Sequence, residues 1–388
     1  MENLWDDAKA SKCTSDLEMR VYTSNLLGQS DELVLHGGGN TSVKSMVEGE
    51  EILFVKGSGW NLVDIKAEGF APVKMATLLD MARRNELSDT DMVSEQKAAM
   101  IDKSAPNPSV EAILHAIIPF KVVDHTHADA IVTISNSKNG VRLIEEVFPN
   151  FLIIPYVMPG FILAQKIYEM IQGDFDWGNC EGIILHNHGI FTFDDDAKKS
   201  YDKMIEAVSK AEVFLEKNAP IVFEEIEAQD FDLDDLKIDK FMHINQTPLA
   251  LHYASQDNLR TMVTRGVLTP EHIIRTKRVP LVLEDDEVTE ALKHFKVAYE
   301  AYFSAYKKDE IMLDTNPKYA VIKDFGVVSF GKTQKEADVI NDVVSHTMLA
   351  VLRADKLGGY KSISIPNSFA MEYWELEQAK VKKLHEKT

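Results

Sequence analysis

Two stretches of this chain share one pattern at an offset of 137 residues, Ile183-Ile-Leu-His-Asn-His-Gly-Ile-Phe-Thr-Phe193 and Ala320-Val-Ile-Lys-Asp-Phe-Gly-Val-Val-Ser-Phe330. Each is an apolar run, a polar turn ending in glycine and a second apolar run, which reads as strand, turn, strand. Each leads into a charged, helix-prone segment, from about Asp196 and from about Thr333. Self-similarity over such a distance points to a duplicated strand–turn–strand–helix unit; two unrelated hairpins that look alike are the alternative. The glycine is kept (Gly189, Gly326), whereas His188 is replaced by Phe325. A duplicated unit of this kind predicts an α/β chain with two regions, of which only the first keeps the histidines.

With 388 residues the chain exceeds a typical domain of roughly 100–150 residues. Residues 1–220 read as alternating helices and strands. A helix is expected from about 14 to 28, and Leu33 to Leu35 as an extended stretch. Val43–Val47 and Ile52–Val55 read as a hairpin around Glu48-Gly49-Glu50, and Pro72 as the first turn of a helix running through Arg84. Ser109 is expected to open another helix, carrying Glu111 and His115. Residues 122–126, 153–156, 182–185 and 190–193 read as strands, and a long helix follows from 196 to 217. Residues 221–245, with Glu224-Glu225 and Asp230-Phe-Asp-Leu-Asp-Asp235, read as a solvated acidic connector. Residues 246–388 form the second region.

The formal charge of −20, from 42 basic and 62 acidic side chains, argues against nucleic acid and anionic membrane as partners. Apolar runs such as Phe151 to Tyr156 are too short to span a bilayer, and the amino terminus shows no signal peptide. Cys13 and Cys180 are too few for a disulfide framework, so a cytoplasmic setting is expected.

The chemistry concentrates in four residues. His125 and His127 are two apart at the end of an apolar strand, so their side chains share a face. His188 lies before Gly189, which permits close backbone approach, and Glu111 lies in Pro108-Ser109-Val110-Glu111. Three imidazoles and a carboxylate suit zinc with one exchangeable position, a catalytic rather than a structural site. Manganese or cobalt would suit the same set. Glu111 has two readings: a metal-side carboxylate that serves as general base, or an exposed helical glutamate paired with His115 at i+4. His186 reads as a core or supporting residue. Gly37-Gly-Gly-Asn-Thr-Ser42 and Lys56-Gly-Ser-Gly59 are each a tight turn when taken alone. Together with Pro108-Ser109 they form a neutral cradle of amides and hydroxyls for phosphate, with Lys44 and Lys56 as surface or supporting cations.

This ordered set, Gly39-Asn40-Thr41-Ser42, Gly57-Ser58-Gly59, Pro108-Ser109-Val110-Glu111, His125-Thr126-His127 and His188-Gly189, resembles the class II aldolase/adducin family. The resemblance implies a three-layer αβα sheet and zinc on His125, His127 and His188. It also implies Glu111 as the acid/base residue, and substrate phosphate held by Asn40, Thr41, Gly57, Ser58, Gly59 and Ser109. Arg265–Lys277, Leu357-Gly-Gly-Tyr360 and Glu372–Lys380 are similar to the aldolase half of bifunctional rhamnulose-1-phosphate aldolase/lactaldehyde dehydrogenases. Those proteins continue into a nucleotide-binding domain. This sequence ends at Thr388 without a Gly-x-x-x-Gly-x-Gly segment, so no dehydrogenase activity is expected of it. The implied reaction is cleavage of a ketose 1-phosphate, a small sugar phosphate, to dihydroxyacetone phosphate and an aldehyde. Pentulose-phosphate 4-epimerases and non-catalytic adducin-like scaffolds are the family's alternatives. The family also implies a homo-oligomer, with a tetramer favoured. In its fuculose-phosphate branch a tyrosine donates the proton; the matching place here is Pro159, with Tyr156 nearby, so the donor stays open.

Overall fold

The computed structural model describes residues 1–284 and 287–379, so Lys380, at the end of the last family-like segment, lies outside the described residues. The chain divides into two units. One comprises 1–135 and 141–214, the other 136–140 and 215–388.

Among the described residues the first unit is built on seven strands: β1 Asn40–Val47, β2 Glu50–Lys56, β3 Phe70–Lys74, β4 Val122–Thr126, β5 Phe151–Ile154, β6 Gly182–Leu185 and β7 Gly189–Asp194. Their spatial order is β3-β2-β1-β4-β7-β6-β5. All neighbours are antiparallel except β5 and β6. The β1–β2 turn uses Glu48 and Gly49 at φ 50° and 87°, the paired left-handed conformation that matches strand twist in a two-residue hairpin.

Helices cover both faces. On one lie Asp16–Leu27 and Ala197–Asn218; Ser15 starts the former by accepting from the Glu18 amide at 3.2 Å, an N-cap. On the other face lie Met75–Ala82, Ala112–Ile117 and Phe161–Met170. Ile113, Val123, Phe161 and Phe193 are among the buried residues of that core. The αβα layering is thus present.

Three local expectations are corrected. Pro72 sits in β3 opposite Phe54, and the helix starts only at Met75; a residue without an N–H is tolerated at a sheet edge. Ser109 does not open a helix, which begins at Ala112 with Glu111 as its N-cap residue. Leu33 to Leu35 form no strand; Leu33 is buried and its carbonyl accepts from the His127 amide at 3.0 Å.

The second unit holds β8 Phe241–Asn245, β9 Leu281–Leu283, β10 Tyr319–Ile322 and β11 Gly326–Gly331, ordered β8-β11-β10-β9. That is the order β4-β7-β6-β5 again, with the last pair parallel and the others antiparallel in both. A long helix follows each hairpin, Ala197–Asn218 and Gln334–Lys356. The turns match to the residue: Asn187 and Asp324 adopt φ 60° and 57°. A Cβ on Gly189 would lie 2.2 Å from the Thr126 carbonyl oxygen, and one on Gly326 2.5 Å from that of Asn245. Close strand approach therefore requires glycine in both copies. Pairing registers put Ile244, Gln246 and Phe325 where the first unit has His125, His127 and His188. This sameness of topology favours duplication over chance likeness.

The acidic stretch is less solvated than its charge implies. Leu236 is fully buried with Leu281, Ile322 and Phe330, with Phe231, Leu233 and Ile238 packed against that cluster. Alternation along the chain lets acids face water while the interleaved apolar side chains dock. β8 occupies the last residues of the stretch expected to be connector, and the second unit begins at Leu215.

Candidate metal centre

Strand β4 carries His125 from the sheet centre, and His127 follows at its end. The turn between β6 and β7 supplies His188. The three ring centroids form a near-equilateral triangle, 5.0, 5.1 and 5.0 Å apart. One ring nitrogen of each lies within 4.8 Å of the other two. Bonds of about 2.0–2.1 Å from one ion to each nitrogen fit a triangle of this size after small rotations. His125 and His188 are buried and His127 is half-buried, so the group opens on the His127 side.

The tautomer of His125 is set by its neighbour. Its Nδ1–H donates to the Ile190 carbonyl at 3.0 Å, which leaves the Nε2 lone pair facing the cluster. That nitrogen is buried and has no hydrogen-bond partner among the described residues, the expected signature of a ligand atom. The ring stacks on Phe191 at 4.0 Å. Burial, then the neighbouring His127 and His188, push His125 well below the ordinary histidine range, so the imidazole is neutral and able to coordinate.

Glu111 is 5% exposed, so the exposed-glutamate reading is overturned. One carboxylate oxygen lies 3.4 Å from His125 Nε2 and the other 3.7 Å from His188 Nε2. Asn40 Nδ2 donates to Glu111 Oε2 at 2.6 Å. The Asn40 carbonyl oxygen accepts from His115 Nε2–H, and Ser42 donates to His115 Nδ1 at 2.7 Å. Ser42, His115, Asn40 and Glu111 thus form one buried relay that orients the carboxylate. Burial first, then Lys44 and Arg20, keep His115 well below its ordinary range, consistent with a neutral ring that donates at one nitrogen and accepts at the other. The i+4 spacing of Glu111 and His115 is real, but their side chains communicate through Asn40. Sequence reading left this relay out; the i, i+2 placement of Asn40 and Ser42 beside a buried histidine was its signal.

The glycine segments meet beside this cluster. A Cβ on Gly38 would come 3.3 Å from His127 Nδ1, and one on Gly39 2.7 Å from the His125 carbonyl oxygen. Lys56 Nζ donates to the Gly37 carbonyl at 2.9 Å. The Ser109 amide donates to the Lys56 carbonyl and the Ser58 amide to that of Asn107. Ser58 and Gly59 are exposed and Ser109 half-buried. The Gly57 and Ser58 amides are already engaged, by the Gly69 and Asn107 carbonyls. What remains at the rim is the Ser58 hydroxyl, the chain at Gly59 and the Ser109 hydroxyl, whose oxygen accepts from the Glu111 amide at 3.2 Å and whose proton can still be donated.

Thr41 is not brought to this group. It lies on the opposite sheet face, its hydroxyl 2.8 Å from Ser24 Oγ, because adjacent strand residues alternate. That face has its own buried ion pair, Arg20 with Asp124 at 2.6 Å, and Ser200 donates to Asp124 at 2.6 Å. Lys44 and Lys56 are not surface cations: they are 7% and 5% exposed. Lys44 is held by the Ile118 and Phe120 carbonyls. Burial pushes both amines down to about 8, and Glu111 partly offsets this for Lys56. The cradle therefore has a cation beside it and is not neutral. His186 is buried outside the triad, and Tyr156 follows β5, three strands from β4. No helix among the described residues is long and apolar enough to cross a membrane.

The chain matches the family described as Class II Aldolase and Adducin N-terminal domain over residues 19–215. It matches that described as Aldolase class II, second domain, over residues 215–381. The N-terminal class II aldolase domain of a conserved protein from Thermoplasma acidophilum is 40% identical with a TM-score of 0.51, covering 55% of this chain and 99% of that one. An uncharacterized oxidoreductase, YuxG of Bacillus subtilis (strain 168), is 29% identical over 98% of this chain and 60% of its own length. The chain thus spans 60% of the length of that curated relative.

Proposed function

This chain belongs to the class II aldolase and adducin family, and from that premise we propose that it is a metal-dependent aldolase cleaving a ketose 1-phosphate of the rhamnulose 1-phosphate kind to dihydroxyacetone phosphate and an aldehyde. The observation that carries the proposal is the convergence of His125, His127 and His188 within 4.8 Å with both Glu111 oxygens 3.4 and 3.7 Å from ligand nitrogens.

In this reading the three histidines hold a divalent ion, zinc by preference, which supplies Lewis-acid stabilisation of charge on the substrate's carbonyl oxygen. Glu111 moves the proton, kept in place by Asn40. Ser58, Gly59 and Ser109 receive the phosphate, and the buried Lys56 ammonium offsets its charge within a chain whose overall field repels anions. Asn40 serves through Glu111 rather than by touching phosphate. The functional assembly is a cytoplasmic homo-oligomer, with a tetramer favoured.

Elemental analysis of the purified chain tests the ion, and a screen of ketose 1-phosphates for released dihydroxyacetone phosphate tests the reaction. His125→Ala is expected to lose both metal and cleavage, whereas Glu111→Gln loses turnover and keeps the metal. Full metal content in His125→Ala would remove that residue from the ligand set. An epimer formed without free dihydroxyacetone phosphate would replace the aldolase by a 4-epimerase.

A further inference from the structure

The second unit encloses a cavity of roughly 300 Å³, at the lower end of the small-molecule range of about 300–1,000 Å³. Tyr306 and Ile365, 37% and 41% exposed, stand at its mouth, while Lys277 and Tyr299 are buried. None of these residues belongs to the metal centre.

Two consecutive cations line this cavity, Lys277 and Arg278. In extended chain successive side chains diverge. Here Lys277 adopts φ 60° and ψ 179°, a backbone region that essentially only glycine enters freely. The distortion turns both cations into one space. Such strain in a non-glycine residue is characteristic of ligand clamps.

The charges around the cavity do not balance. Lys277 Nζ lies 3.6 Å from the centroid of the Tyr299 ring and 4.0 Å from Glu372 Oε1, and it donates to the Asp314 carbonyl. Glu372 is 2% exposed and accepts from Tyr299 at 2.8 Å; Tyr302 and Arg278 also face it. Asp314 and Lys318 act on Lys277 with opposite signs. Among the described residues, Lys277, Arg278 and Lys318 against Glu372 and Asp314 leave one positive charge. Arg278 Nε is a buried donor without a hydrogen-bond partner among the described residues. A guanidinium in that state calls for a planar, charged acceptor, and the tyrosine walls call for a flat body.

We propose that this cavity is a second ligand site, taking a small monocarboxylate with a flat apolar body whose carboxylate sits on Arg278 and whose body lies against Tyr302 and Tyr306. The site is independent of the aldolase reading, because no residue is shared.

Benzoate is the probe, titrated calorimetrically into the full chain as purified, with uncharged benzamide as its isostere. One benzoate per chain is expected, with benzamide weaker on the order of tenfold or more. Arg278→Gln is expected to lose benzoate by a similar factor. Ile365→Trp, which closes the mouth and keeps every charge, should lose it too, and decides the matter if Arg278→Gln fails to fold. His125→Ala should bind benzoate normally, which separates the cavity from carboxylate coordination at the metal centre. Absence of benzoate binding at millimolar concentration overturns the proposal. So do equal affinity for benzamide, unchanged binding in both cavity variants, or loss in His125→Ala alone.

Discussion

Asn40→Ala tests whether the buried relay, and not only the histidine triad, prepares the first unit for chemistry. The substitution removes the donor 2.6 Å from Glu111 Oε2 and the acceptor of His115 Nε2–H. A hydrogen bond to a charged group contributes about 1.5–3 kcal/mol, and an orphaned buried donor costs about 1–3 kcal/mol. Together they amount to about 2.5–6 kcal/mol of lost stability. At roughly 2–4 °C per kcal/mol for a unit of this size, Tm should fall by about 10 °C. An unanchored Glu111 that forfeits about 1.5–3 kcal/mol of positioning should slow cleavage by roughly ten- to a hundredfold. Calorimetry reads the first effect; under the proposed aldolase reading, dihydroxyacetone phosphate release from the ketose 1-phosphate selected by the screen reads the second. The neighbouring Thr41 provides the control. Its hydroxyl meets Ser24 on the opposite face, so Thr41→Ala should cost about 1 kcal/mol of stability and leave kcat/KM nearly unchanged. Wild-type turnover in Asn40→Ala, or an equal loss in Thr41→Ala, would falsify the division of the sheet into a chemical face and a structural one.

Other outcomes follow from the same geometry. Gly189→Ala should displace β7 from β4, since its Cβ would stand 2.2 Å from the Thr126 carbonyl oxygen, and metal binding should fall along with stability; a variant with full metal content would contradict this. Arg20→Met leaves Asp124 buried without its cation and should cost about 3–5 kcal/mol, largely recovered by adding Asp124→Leu; a double variant no more stable than the single one refutes the account. Burial holds Lys44, Lys56 and Lys277 down to about 8, below the unfolded value of about 10.4. Between about pH 8 and 10 the unfolded chain therefore binds more protons than the folded one, and stability should rise with pH, by at most about 1.4 kcal/mol per pH unit for each lysine. Denaturant titrations at steps across that range should show the rise, and Lys44→Met should flatten part of it; a falling profile rules out the assignment.

Much of the site was legible because it depends on short-range order. His125 and His127 are two apart at the end of a strand, His188 precedes a glycine, and the 137-residue repeat has Phe325 in the place of His188. The same local logic holds for Asn40 and Thr41: once Asn40–Val47 is a strand, their side chains must take opposite faces, so grouping both at one phosphate conflicts with alternation. Pro72 was misplaced because a proline suits a helix start and an edge strand equally, and only its pairing with Phe54 distinguishes them.

By itself, then, the amino-acid order marked the candidate site residues, an α/β chain and a degenerate second copy, since these are written in spacing and hydrophobic period, whereas the αβα layering came with the family resemblance. Tertiary structure alone decided what those residues touch. The order β3-β2-β1-β4-β7-β6-β5 places Asn40 beside His125 and brings Glu111 under the triad. It buries Lys44 and Lys56, and it threads His115 between Ser42 and Asn40. These partners are fixed by the register of strands distant in sequence, and no local period encodes which distant strand lies alongside.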